Sequence, residues 1–125
     1  MRNLPRISDA EWEVMKVIWQ NPKTTSAFII KSLSREKVWK PTTIKSLISR
    51  LLNKEVIDYE KCGKEYLYYA LIGEEEYVKV ESNSFLNRVF GGSINSMLLN
   101  FVKSENISKD EMEELRQILN KEIEE

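Results

Sequence analysis

One predicted helix carries a face of short hydroxyl groups and long cations. This face consists of Thr42, Thr43, Lys45, Ser46, Ser49 and Arg50. Hydroxyl side chains approach phosphates and base edges closely, and Lys and Arg neutralise phosphate or bind guanine edges. An ordinary solvated helix face mixes Glu with Lys at i, i+4, but this face has no acidic residue that would repel phosphate. The pattern therefore predicts a helix that binds nucleic acid.

Two further cations lie near the turn of a predicted β-hairpin. Residues 56–61 and 65–72 are rich in β-branched and aromatic side chains, and Gly63 between them can adopt the positive φ of a tight turn. Lys61 and Lys64 would neutralise phosphates if the hairpin lies along a nucleic-acid backbone. The alternative is a solvent-exposed hairpin with incidental lysines. Cys62, at the turn, is interpreted as an incidental exposed thiol.

Several kinds of chemistry are disfavoured by composition. The chain has no His, one Cys and four Gly, which excludes His-based catalysis, a zinc site of the usual type and a glycine-rich phosphate loop. The acidic cluster Glu74-Glu75-Glu76 has no partner base, so a hydrolase is disfavoured. We predict no enzyme activity, no catalytic residue, no cofactor and no metal.

Apolar runs are short throughout the chain. None approaches the roughly 18 residues of a membrane span, and residues 1–5 have no apolar stretch typical of a secretory signal. We therefore expect a cytoplasmic protein without direct membrane insertion.

Three helices precede the hairpin. The first begins at the capping box of Ser8 and Glu11 and ends before Pro22. Thr24 or Thr25 caps a second helix, and its predicted buried residues are Ala27, Ile30 and Leu33. Pro41 opens the third helix, which carries an apolar stripe opposite the hydroxyl face: Ile44, Leu47, Ile48, Leu51 and Leu52. This order predicts a mainly α protein whose residues 1–72 form a winged helix-turn-helix that binds DNA.

The remaining residues differ in charge and in pattern. Residues 1–72 hold 13 Lys and Arg against 8 Asp and Glu, whereas residues 73–125 hold 6 against 12. Three predicted helices in this second part are too short to bury their apolar residues alone. We predict that residues 73–125 form a helical dimerisation domain of a homodimer, with these interface residues: Phe85, Val89, Leu98, Phe101, Leu115, Ile118 and Leu119. The alternative is a monomer in which they pack on the first domain.

Five stretches resemble the BlaI/MecI family of penicillinase and methicillin-resistance repressors. They are ISDAEWEVM at residues 7–15, TIKSLISRL at 43–51, FLNRVFGG at 85–92, LLNFV at 98–102 and EELRQILN at 113–120. The resemblance implies a winged helix with a helical dimerisation region and DNA contacts from Thr42, Thr43, Lys45, Ser46 and Arg50. Family members often have Arg and Thr at the positions of Lys45 and Ser46, which implies a different operator preference.

The same resemblance implies a mode of action. The protein would be a homodimeric transcriptional repressor that binds a palindromic operator in double-stranded DNA and controls a β-lactam-resistance type of operon. Proteolysis at Asn100–Phe101, triggered by a membrane-embedded sensor metalloprotease, would end repression. Two alternatives stay open: a repressor of the same family that responds to another signal, and a protein-interaction adaptor that does not bind DNA.

Overall fold

The computed structural model describes residues 4–124, and the expectation about residues 1–3 lies outside them. Three helices come first: α1 (Asp9–Gln20), α2 (Ser26–Glu36) and α3 (Pro41–Asn53). A hairpin of β1 (Ile57–Cys62) and β2 (Glu65–Ala70) follows, and then α4 (Glu74–Phe90), α5 (Ile94–Lys103) and α6 (Lys109–Glu124). The predicted mainly α winged helix-turn-helix with a helical C-terminal region is confirmed. No helix within residues 4–124 is long and apolar enough to cross a membrane.

The chain forms two compact units that divide between Val80 and Glu81, inside α4. The first turns of α4 belong to the first unit because Tyr77 is buried there against two tryptophans. Its ring centroid lies 5.7 Å from that of Trp12 and 6.2 Å from that of Trp19. The indole N–H of Trp19 donates to the carbonyl of Ile72 at 2.9 Å, which fixes the residues before α4 to α1.

The first unit has a continuous core in which α1, α2 and α3 pack on one another and on the hairpin. α3 contributes Ile44, Leu47, Ile48 and Leu51 to this core, as its apolar stripe predicts. α2 begins at Thr25, whose hydroxyl accepts the N–H of Phe28. The prediction for its buried side was partly wrong. Ala27 is exposed and Ile29 is buried, because the stripe of α2 follows the i, i+4 pair of Ile29 and Leu33.

The hairpin forms the wing. β1 and β2 are antiparallel and pair Tyr59 with Tyr68 and Lys61 with Tyr66. The connection is Gly63-Lys64, and Gly63 has a φ of 65°, a conformation that glycine adopts without steric cost. The backbone of Tyr68 also bonds to that of Thr24, with N···O distances of 2.7 and 3.0 Å. The base of the wing is therefore held from both sides.

The second unit contains the rest of α4 together with α5 and α6. Gly91 and Gly92, with φ of 58° and 86°, follow the end of α4, and the hydroxyl of Ser93 caps α5. Ser108 and Glu111 form the predicted capping box before α6, with N···O distances of 3.0 and 3.1 Å. Within residues 81–124 no residue is buried, so this unit has no closed core of its own.

Candidate nucleic-acid interface

The hydroxyl face of α3 is open to solvent. Burial of the opposite stripe orients the helix, and every member of the face is exposed: Thr42, Thr43, Lys45, Ser46, Ser49 and Arg50. The hydroxyl of Ser46 donates to the carbonyl of Thr42 at 3.0 Å, which leaves its lone pairs towards solvent. The face therefore presents two cations and several hydroxyls on a rigid helix.

The start of α3 is positively charged and lacks a side-chain cap. Lys40 is the N-cap residue and makes no capping hydrogen bond, and Pro41 follows it. No acid occurs in the first turn, although the helix dipole favours negative charge at this end. The N-terminus of α3 therefore has no capping or acidic side chain of its own to balance the helix dipole, and an external anion could bind there.

The other end of α3 is fixed by an ion pair that the sequence analysis did not identify. The ammonium of Lys54 lies 2.7 Å from Oε1 of Glu11 and donates to the carbonyl of Arg6 at 2.9 Å. Burial by itself would raise the pKa of Glu11. The hydrogen bonds from Lys54 and Ser8 outweigh burial and hold that pKa below its ordinary value. The pair anchors α3 to the start of α1.

The wing extends this surface. Lys61, Cys62 and Lys64 are exposed at its tip, and Cys62 is the last residue of β1, paired with Glu65. At the base of the wing, a cavity of about 260 Å³ is lined by residues of α2, α3 and β2. Its lining consists of Ser26, Lys45, Ile48, Ser49 and Tyr68. The hydroxyl face of α3 and the base of the wing therefore meet at this cavity.

The sequence predicts the tyrosines of the wing only as strand residues, and the structure shows that two of them pack together. The ring centroids of Tyr59 and Tyr66 are 4.4 Å apart, and both side chains are exposed. A two-residue turn predicts their shared face, because it fixes the register of the hairpin. Lys40 was also missed, although the Lys-Pro pair before the apolar stripe of α3 indicates its N-cap position.

The remaining predicted residues lie in the second unit. Phe85, Val89, Ile118 and Leu119 are exposed, whereas Leu98, Phe101 and Leu115 are half-buried. Asn100 is exposed within α5, and the ring of Phe101 lies 6.4 Å from that of Phe90. The carbonyl of Asn100 accepts both the N–H and the hydroxyl of Ser104, at 3.0 and 2.7 Å. The Asn100–Phe101 bond is thus one turn from the end of the helix.

Known proteins are similar to this chain in sequence. The family described as penicillinase repressor matches residues 7–121. A penicillinase repressor of Bacillus licheniformis is 44% identical over 119 residues, which cover 95% of this chain and 93% of the relative. The methicillin resistance regulatory protein MecI of Staphylococcus aureus (strain N315) is 46% identical over 115 residues, with 92% and 94% covered.

A solved structure matches part of the chain. It is the solution structure of the monomeric form of Bacillus licheniformis BlaI in complex with the blaP half-operator. It is 40% identical, has a TM-score of 0.55, and covers 62% of this chain and 94% of that chain. Together with the match over residues 7–121, these likenesses show that the chain belongs to the penicillinase repressor family.

Proposed function

We propose that this protein is a transcriptional repressor that binds operator DNA in the cytoplasm through α3 and the wing. The observation that carries the proposal is the exposed, acid-free face of α3. Arg50 and Lys45 contact phosphates or guanine edges, and the threonines at the start of the helix contact the backbone. Lys61 and Lys64 neutralise phosphates beside the wing. The half-operator complex of BlaI, a relative, supports this assignment.

A salt titration tests the role of α3. Arg50→Ala and Lys45→Ala should each weaken binding to a duplex that carries the DNA upstream of the protein's own gene. Removal of one phosphate contact should reduce the slope of log K against log salt by about 0.9. Lys109→Ala in α6 is the control, because it removes the same charge from the other unit. If both α3 variants bind like the parent at every salt concentration, α3 is not the helix that contacts the DNA.

The second unit makes the protein a homodimer in this proposal. Within residues 81–124 no side chain is buried, and large apolar groups are exposed on all three helical segments: Phe85, Val89, Ile94, Leu99, Ile118, Leu119 and Ile123. A cavity of about 490 Å³ lies between Phe85, Leu86, Ile94 and Met97. A second copy of the same segment is the simplest surface to cover them, since most soluble oligomers are symmetric.

A dimer would read two half-sites of a palindromic operator together, which is how a small winged helix gains affinity. Sedimentation equilibrium at micromolar concentration should give twice the mass of the chain. A fragment that ends at Val80 should be monomeric and bind the same operator much more weakly. A monomeric full-length chain at that concentration would contradict the assignment.

Repression would end by proteolysis at Asn100–Phe101, the bond that the family resemblance indicates. Cutting there separates α6 and the end of α5 from the rest of the second unit, so dimer affinity falls and the two half-sites are no longer linked. The bond is helical, but its carbonyl is held only by the last turn of α5, so local fraying suffices to expose it. A membrane-embedded sensor metalloprotease that detects β-lactams would start the process.

Mass spectrometry of the repressor from β-lactam-treated cells tests this step. Fragments should end at Asn100 and begin at Phe101. Asn100→Asp should repress normally but resist induction. Intact repressor during full derepression, or fragments that end elsewhere, would reject this bond and favour another signal.

A further inference from the structure

The two faces of the wing differ in charge. Strand alternation places one set of residues on the tyrosine face: Tyr59, Lys61, Tyr66 and Tyr68. It places another set on the acidic face: Asp58, Glu60, Cys62, Glu65, Leu67 and Tyr69. Lys23 neutralises Glu60 at 2.9 Å, which leaves Asp58 and Glu65 as excess negative charge. The tyrosine face carries a cation and no acid.

The tyrosine face is continuous with α3. Tyr68 is buried at the base of the wing, where it lines the cavity beside Lys45 and Ser49. From there the rings continue towards the tip, since the centroid of Tyr59 lies 6.0 Å from that of Tyr68 and 4.4 Å from that of Tyr66. A polyanion that binds to α3 and extends along the wing would therefore contact this row of rings.

The hydroxyl groups of Tyr59 and Tyr66, the two exposed tyrosines of this face, are available for hydrogen bonds with a ligand. Tyr59 and Tyr66 are 41% and 43% exposed. Within the part of the chain that the structure describes, neither hydroxyl makes a hydrogen bond with the protein. Burial raises the pKa of Tyr68, and the nearby Tyr59 and Tyr66 raise it further, which is consistent with three phenols on one face. The two exposed phenols lie on the face of the hairpin that also carries Lys61.

We propose that the wing meets DNA with its tyrosine face, where the hydroxyls of Tyr59 and Tyr66 donate to phosphate oxygens beside Lys61. The occupant is the sugar–phosphate backbone, because charge complementarity favours this face and the acidic face would repel it. The acidic face points away from DNA. The inference rests on the proposed function and adds two contacts and an orientation to it.

Cross-strand packing of the two rings is a separate contribution to the hairpin. Packing depends on the rings and not on the hydroxyls, so Tyr→Phe substitutions distinguish the two roles. The double variant Tyr59→Phe/Tyr66→Phe should keep the melting temperature of the parent. Its Kd for the upstream duplex should rise at least about a hundredfold, the cost of losing two hydrogen bonds to charged groups.

The salt dependence identifies the type of contact. A neutral hydroxyl releases no counterion, so the double variant should bind more weakly with an unchanged salt slope. Lys61→Gln should instead reduce the slope by about 0.9. Tyr69→Phe is the matched control, because it removes the same hydroxyl from the acidic face and should leave Kd unchanged. Fluorescence anisotropy across a salt series measures all four proteins.

The results separate the inference from the proposed function. If the parent binds and the double variant binds equally well, or Tyr69→Phe loses as much affinity, the tyrosine face is not the DNA-facing side. If the parent itself binds neither this duplex nor the blaP half-operator, the proposed function fails and the inference fails with it.

Discussion

The two compact units use their apolar residues in opposite ways. The first unit buries side chains from α1, α2, α3 and the hairpin in one core, among them Ile18, Ile44 and Leu51, each fully inaccessible. The second unit leaves Ile118 and Leu119 about half exposed and buries nothing within residues 81–124. The first unit therefore holds its shape by its own packing, whereas the second leaves its apolar side chains without a closed core within residues 81–124.

This difference is consistent with the separate tasks that the proposed function gives to the two units. The first unit is preorganised, so its exposed face can meet DNA without folding first. The second unit has no closed core within residues 81–124, and the dimer contact and the proteolysis proposed above both act on it. Loss of the second unit would reduce affinity through the number of linked half-sites, with no change passed to α3. Substitutions in each unit test this division, from the largest expected effect to the smallest.

Leu119→Asp should have the largest effect on operator binding. It places a charge in the exposed apolar stripe of α6, where a second chain would cover it. Affinity for a full palindromic operator should fall at least about a hundredfold as the half-sites become independent. Binding to a single half-site should not change. Sedimentation together with titration on both duplexes measures the outcome.

Gln117→Asp is the control for that variant, since helical periodicity places residue 117 on the opposite side of α6. It should leave the dimer intact. A dimeric Leu119→Asp protein with parental affinity would show that the interface lies elsewhere.

Leu51→Ala tests the first unit. Leu51 is fully buried in α3, and removal of a buried leucine side chain typically costs about 2–5 kcal/mol. Urea denaturation should show a free energy of unfolding lower by about 3 kcal/mol, independent of protein concentration. Leu71→Ala, at an exposed position in the same unit, should change it by less than about 1 kcal/mol. Equal effects of the two variants would argue against a core centred on the stripe of α3.

Local interactions explain which parts of the structure could be predicted from the sequence. α1 begins and ends where its capping box and Asn21-Pro22 indicate, and the Ser108 box is likewise confirmed. Each box needs only residues three positions apart. The stripe and hydroxyl face of α3 follow from one helical period. These features require no knowledge of the rest of the chain.

Contacts between distant residues could not be predicted in this way. Lys54 and Glu11 are 43 positions apart, and a charged side chain on a helix gives no indication of its partner. The bridge between Thr24 and Tyr68 depends on the docking of the wing against the turn after α1. In α2, adjacent Ile29 and Ile30 fit two possible stripes, which is why Ala27 was wrongly predicted to be buried.

Glu11→Gln tests the ion pair that holds α3. The pKa of Glu11 is below its ordinary value in the folded protein, so its charge stabilises the fold above the unfolded pKa, and this contribution disappears as pH falls through the folded pKa. At neutral pH the variant should unfold with a free energy lower by about 2 kcal/mol. The difference should vanish in acid. A pH-independent difference would assign the loss to packing rather than charge.

Lys40→Ser should have the smallest effect, and it separates stability from DNA contact within the first unit. Serine at the N-cap of α3 can accept an N–H that Lys40 leaves without a side-chain partner. The free energy of unfolding should rise by about 1 kcal/mol. DNA affinity should fall, because the variant lacks a cation at the start of the recognition helix, and the salt slope should decrease by about 0.9 if Lys40 contacts a phosphate. Thermal denaturation and the salt series measure both.

Lys40→Ala is the control for Lys40→Ser, because it removes the same charge without adding a cap. Lys40→Ser and Lys40→Ala should lose the same affinity for DNA. The serine variant should nevertheless be more stable than the alanine variant by about 1 kcal/mol, because only serine caps the helix. Such a result would mean that Lys40 strengthens DNA binding but leaves the first unit less stable than a serine would. If Lys40→Ser gained stability and kept full affinity, the uncapped end of α3 would have no part in binding, and the interface would be limited to the later face of the helix and the wing.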